Sequence, residues 1–291
     1  MSRVHSASIW RAASVLGWSR SAVTKLAEPS LTFPHDYRAL FVGADAPTVV
    51  GGQAVNLWAI VYLDRDVRNK VIHGSNDMDI VSSTKALAFL KTLPDWKFSP
   101  TPMKHFGVGI TAKLQSVAPD GRMLLVEILH GVAGLDTVDL RRVSEVEVGG
   151  IKYRLLDPIA MLKAKAYNVR KFKQDDDPPR HDREHLELIA HCVPEFLREL
   201  HDGALRLQRS DDPAAKAAVE NTADAVRSAF ATVSDSKTAT TLRAQGIAPE
   251  SLTPPEFKDS PITKIANAWK HQWPRVVNAG LGDSAKKKRR E

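Results

Sequence analysis

The hydrophobic pattern divides the chain at about residue 156: short apolar runs alternate with helix-like segments before it, and only helical periodicity follows. Residues 47–50 form a short apolar run that stops at Gly51-Gly52, which predicts a buried strand and a tight turn. In residues 53–62, Val55, Leu57, Trp58, Val61 and Tyr62 predict a mostly apolar helix. Residues 78–82 read as a strand, and 84–93 as a helix with Ala86, Leu87, Phe89 and Leu90 mostly inward. Two further strands, 107–117 and 122–131, are joined by the turn residues Pro119-Asp120-Gly121. Residues 146–156 read as a hairpin that turns at Gly149-Gly150. Residues 36–42 predict a helix, and 64–74 a charged loop.

Beyond this point Asp157-Pro158 opens a helix through about residue 172, since proline suits a first helical turn. Residues 182–200 predict another helix, with an interruption expected near Pro194. Helical stretches follow at 214–233 and 261–269, while 238–258 shows no clear period. Residues 9–27 fit a helix-turn-helix template. Ala13 takes the small position, Gly17 the turn and Ser19 the cap of the second helix. Ser19, Arg20, Ser21 and Thr24 would then face a DNA groove. The other reading is two short helices packed on the main domain, because Glu28-Pro29 ends the pattern before a third helix. The expected organisation is a helical segment 1–33, a mixed core 34–156, a helical domain 157–278 and a basic tail 279–291. The fold class is α+β: a mixed sheet with flanking helices, followed by a helical C-terminal region.

Charge narrows the partners. The formal net charge is +7 and the pI about 9.4, which favours an anionic partner such as nucleic acid or nucleotide. A lone cysteine, Cys192, excludes an intramolecular disulfide framework and suits a reducing compartment, so a cytoplasmic protein is expected. No apolar run approaches the ~20 residues needed to cross a bilayer, and no membrane partner is expected. Residues 1–27 hold Arg3, Arg11, Arg20 and Lys25 and no acid, a composition that transit peptides share with the helix-turn-helix reading. The run Lys286-Lys287-Lys288-Arg289-Arg290 is either a solvated tail or a nonspecific binder of RNA phosphates.

The candidate chemistry sits in Asp77-Met78-Asp79. Side chains alternate along a strand, so the two acids project from one face. Like charges held together and stripped of water are costly unless a cation neutralises them. Oxygen-only ligands suggest magnesium. A two-metal site needs a third ligand, and Glu127, a lone acid within Leu124-Leu125-Val126-Glu127-Ile128-Leu129, is the best candidate. The alternatives are a solvated strand end for Asp77 and Asp79, and an edge strand with Glu127 facing water. Gly51-Gly52 ahead of a helix suits phosphate, because the backbone can approach closely and the helix N-terminus favours an anion.

Gly-Gly, a helix, Asp-x-Asp on the next strand and an acid on a later strand resemble the nucleotidyltransferase superfamily with the polymerase-beta-like fold. The resemblance implies that Gly51, Gly52 and Ser75 contact a nucleoside triphosphate, and that Asp77, Asp79 and Glu127 hold two magnesium ions. Downstream, Asp157-Pro158-Ile159-Ala160-Met161-Leu162 with Lys165, Arg170 and His181-Asp182 resembles the abortive-infection toxins of type IV toxin–antitoxin systems. There it implies Lys165 and Arg170 as triphosphate contacts and Asp182 as an orienting acid. His181 stands where that group has lysine, and Lys163 is a rival to Lys165 by one turn of register. The resemblance covers roughly residues 36–195, with an inserted loop at about 64–74; residues 196–291 carry none of it.

The expected function is a magnesium-dependent transfer of a nucleoside monophosphate to a hydroxyl. The resemblance implies RNA, in particular the 3′ end of tRNA, or a protein as the acceptor, and a cognate antitoxin as a further partner. The alternatives are a small-molecule transferase of the aminoglycoside-modifying kind, and a catalytically inactive nucleic-acid-binding regulator. His181 and His185 stand one helical turn apart, but with His191 they lack a convincing third zinc ligand and read as structural or solvent-facing. His130 falls three positions from Glu127, so on the opposite face of a regular strand.

Overall fold

A computed structural model describes residues 33–43, 45–64, 77–101, 109–175, 180–207 and 213–280. Ser19, Arg20, Ser21, Thr24 and Ser75, the helix-turn-helix pattern, most of the 64–74 loop and the basic run lie outside the described residues. The chain forms two compact units, Met1–Asp157 and Pro158–Glu291.

Among the described residues of the first unit, seven strands form one mixed sheet. They are β1 (Thr48–Val49), β2 (Met78–Val81), β3 (Lys97–Pro100), β4 (Ile110–Val117), β5 (Met123–Leu129), β6 (Val143–Val148) and β7 (Ile151–Leu156). Their order across the sheet is β3-β4-β5-β2-β1-β7-β6. The β1–β7 and β2–β5 pairs are parallel, and the other neighbours are antiparallel. Period-two alternation is clean where it matters. Met78 and Ile80 of β2, Ala112 and Leu114 of β4, and Leu124, Val126 and Ile128 of β5 are buried on one face. Burying each large side chain of that set contributes about 1.5–3 kcal/mol.

Helix α1 (Gly51–Tyr62) follows β1, and α2 (Thr84–Leu90) follows β2. The Trp58 indole NH donates to the Leu156 carbonyl at 2.8 Å, which ties α1 to the end of β7. The Ser83 hydroxyl caps α2 by accepting from the Ala86 amide at 3.1 Å. Residues Pro34–Phe41 form 3-10 helix rather than the α-helix the pattern predicts. The segment is pinned from outside. Both terminal nitrogens of Arg122 donate to Asp36 at 3.1 Å, and the Tyr37 hydroxyl donates to the Leu125 carbonyl at 3.1 Å.

The second unit is helical: α3 (Pro158–Lys171), α4 (Asp182–Leu207), α5 (Pro213–Ser234), α6 (Ser236–Ala244) and α7 (Thr263–Asn278). Three expectations need correction here. Helix α4 runs unbroken past Pro194, because its buried stripe Leu186, Ile189, Val193, Leu197 and Ala204 continues on both sides of the proline. Helix α7 extends well beyond residue 269 and carries Pro274 inside it. The segment without clear period resolves into α6, capped by Asp235, and short 3-10 turns at Pro249–Leu252 and Pro255–Asp259. None of the helices in the described residues is long and apolar enough to cross a membrane.

Candidate active site

Helix α1 begins at Gly51 itself, so the glycine pair is the first turn of the helix and not a separate turn before it. Sterics require glycine at its first position. Gly51 has φ +67°, and a Cβ there would overlap Asp79 Oδ2 and come within 2.9 Å of the Asp79 Cβ and Cγ. The first turn of α1 contains no acid and has no side-chain cap. The Asp79 carboxylate lies against it instead, where the helix dipole favours negative charge. The Val50 amide also donates to the Asp79 carbonyl at 2.9 Å, which fixes where β2 stands relative to the helix start.

Asp79 and Glu127 are partners in the parallel register of β2 and β5, and Glu127 is in turn opposite Lys113 of β4. The three residues form a row across adjacent strands, on the face away from the buried Met78, Val126 and Leu114. Asp77 enters just ahead of β2. One carboxylate oxygen each from Asp77, Asp79 and Glu127 lies within 4.8 Å of the other two. Glu127 stands on an interior strand, between β4 and β2, so the edge-strand alternative does not hold.

Three half-buried carboxylates at this spacing repel one another by about 3–4 kcal/mol per pair at an effective dielectric of about 20. Lys113 Nζ donates to Glu127 Oε1 at 2.6 Å and offsets part of that charge. An all-oxygen donor set with net negative charge suits a hard divalent cation. Among the described residues this is the group of acids and histidines whose ligand atoms converge; His181, His185 and His191 form no such group.

The second unit contains a different cluster. Lys165 Nζ donates to Asp182 Oδ1 at 2.9 Å, with only 7% and 4% of the two side chains exposed. The Asn168 amide donates to the same oxygen at 3.2 Å, and Arg180 Nε to Oδ2 at 2.8 Å. Burial pushes the Asp182 pKa up, but Lys165 and Arg180 more than offset it and hold it down at about 2. The chain therefore brings Lys165 and Asp182 together as a bonded pair. Arg170 is exposed at the end of α3, with its guanidinium 5.4 Å from the centre of the Tyr167 ring. Lys163 is half-buried on α3.

Two contributors went unread in the sequence. Lys113 was discoverable: the Pro119-Asp120-Gly121 turn sets the β4–β5 register, which pairs Val117 with Met123 and, counting back, Lys113 with Glu127. Arg180 precedes α4 in a loop, and its bond to Asp182 brings it into the cluster while its guanidinium lies 4.7 Å from the centre of the Phe172 ring.

No family model matches the chain. No curated protein matches it. Among solved structures, an antigenic nucleotidyltransferase-like protein from Paracoccidioides brasiliensis is similar at 19% identity, over 51% of this chain and 67% of that one, with a TM-score of 0.33. A likeness that slight defines no family, and the chemistry rests on the residues themselves.

Proposed function

We propose that the chain is a magnesium-dependent nucleotidyltransferase of the polymerase-beta-like superfamily, acting on an RNA acceptor. The observation that carries this reading is the convergence of Asp77, Asp79 and Glu127 beside the glycine start of α1. These three residues would hold the magnesium ions. Magnesium bound there would favour ionisation of the attacking hydroxyl and neutralise charge on the departing pyrophosphate.

The chain's own residues do the rest. The first turn of α1, which has no side-chain cap and no Cβ at Gly51 or Gly52, presents backbone amides to phosphate oxygens. The parallel β2–β5 register holds Asp79 and Glu127 side by side before substrate arrives, so little reorganisation is needed. In the reaction the acceptor oxygen bonds to the α-phosphorus, the bond from that phosphorus to the bridging oxygen breaks, and pyrophosphate leaves. The acceptor proton passes to solvent. In the toxin group that the helical half resembles, a lysine, an arginine and an aspartate act at the triphosphate, and we propose that role for Lys165, Arg170 and Asp182 by that resemblance alone. For Lys165 it requires release from Asp182.

The net charge of +7 supports RNA over a cationic drug as acceptor. Within this reading a toxin role with a cognate antitoxin follows the toxin-like helical half. The test is incubation with each α-labelled nucleoside triphosphate, magnesium and total RNA, with protein and aminoglycoside acceptors in parallel. Label should enter RNA, and the doubly substituted Asp77→Ala, Asp79→Ala chain should lose it. Labelling that the double variant retains would overturn the reading.

A further inference from the structure

Lys113 places a positive charge in the acid row, bonded to Glu127. It lies opposite Glu127 in the β4–β5 register, and Glu127 lies beside Asp79 in the β2–β5 register. Its ammonium is bonded to Glu127 at 2.6 Å, just below the usual length of a charge-assisted N–H···O bond. Glu127 is 17% exposed, whereas Lys113 is 41% exposed. The lysine therefore reaches inward to the acid from a more open position, on a flexible four-carbon stem.

We infer that Lys113 is a tethered counter-cation that holds Glu127 in the metal-free protein and competes with the incoming divalent ion, so that it sets the cation affinity of the site. The inference rests on the metal reading of Asp77, Asp79 and Glu127. The physical logic is exchange. Glu127 is already bonded to an ammonium, which stabilises its carboxylate where a metal would otherwise do so. A divalent ion that takes Glu127 as ligand has to displace the lysine from that oxygen. The displaced ammonium can swing into solvent, because its side chain is already partly there. The site is thereby kept folded without metal, at the cost of weaker binding.

The experiment uses the full chain and its Lys113→Met, Lys113→Gln and Lys113→Arg variants. Free Mn2+ is titrated by electron paramagnetic resonance, and melting is followed in EDTA and in saturating Mn2+. Both uncharged variants should bind Mn2+ about ten-fold more tightly than the wild type, the size expected on removing one charge-assisted competitor. They should also melt lower in EDTA and gain more from Mn2+, while Lys113→Arg stays close to wild type. If the wild type binds Mn2+ and the uncharged variants bind with equal or lower affinity, the competition inference is overturned and the metal reading stands. If neither the wild type nor any variant binds Mn2+, the metal reading fails and this inference with it.

Discussion

In the first unit three carboxylates crowd together and an ammonium bonds one of them; in the second, one carboxylate is held by an ammonium, a guanidinium and an amide. Both clusters place charge in partly or fully buried positions, where imbalance is costly. They resolve it in opposite ways. Around Asp182 the partners are close and the pair is almost wholly buried, so removing either partner would leave a buried charge uncompensated. Around Asp79 one oxygen each of three carboxylates lies within 4.8 Å of the other two, and Lys113 bonds Glu127. Converging carboxylates of this kind are where a divalent cation would bind, which is the basis of the proposed chemistry. The contrast also bears on Lys165. A lysine already bonded to a buried aspartate is unlike a lysine held open for substrate, and its two roles can be separated by measurement.

The largest effect should come from the acid row. Asp77→Ala with Asp79→Ala is expected to lower labelled nucleotide transfer by at least about a thousand-fold, the scale of removing the anchors for transition-state charge. Because repulsion is removed with the carboxylates, the melting temperature in EDTA should hold or rise. A marked fall in melting temperature would mean that the row is structural, and the contrast between the clusters would collapse.

Next comes Lys165→Met. Leaving Asp182 buried with one main cation gone should cost about 3–5 kcal/mol in urea unfolding. Adding Asp182→Asn should recover most of that loss. Unfolding unchanged by Lys165→Met would show that the buried pair does not hold its unit together.

Gly51→Ala should cost about 1–3 kcal/mol, because alanine is strained at φ +67° and its Cβ collides with Asp79. Mn2+ affinity should fall in the same variant, since the displaced group is a proposed ligand. Retained stability and affinity together would show that α1 can start elsewhere.

The smallest effect concerns acid. Asp182 has a folded pKa of about 2, below its unfolded value of about 3.9. Its contribution, about 2 kcal/mol, is fully present above the unfolded value and is lost as pH falls through the folded one. The difference in unfolding free energy between wild type and Asp182→Asn should therefore shrink between about pH 4 and pH 2. A difference that is flat over that window would argue that Asp182 is not held ionised by its neighbours.

Much of the architecture was legible from local pattern. The glycine pair at 149–150 marks a hairpin because both residues take positive φ, at +59° and +75°, which suits a two-residue turn between twisted strands. Helix α3 starts where Pro158 predicts it. By contrast β3 left no trace, since it is a short edge strand with no buried residue in its pattern and therefore no alternation to read. Pro194 suggested a break that the buried stripe of α4 overrides.

For the site itself, residue types and spacing were enough to single out Asp77 and Asp79 on one face, the glycines before a helix, and Glu127 as an expensive acid in an apolar run. These features depend on neighbours along the chain, so they are written locally. The pairing of β2 with β5, the entry of Lys113 into the acid row, and the bond from Lys165 to Asp182 are of another kind. Each joins residues remote in sequence. Their contact reflects which long-range closure buries the most apolar surface, a property of the whole packed unit that no local window contains.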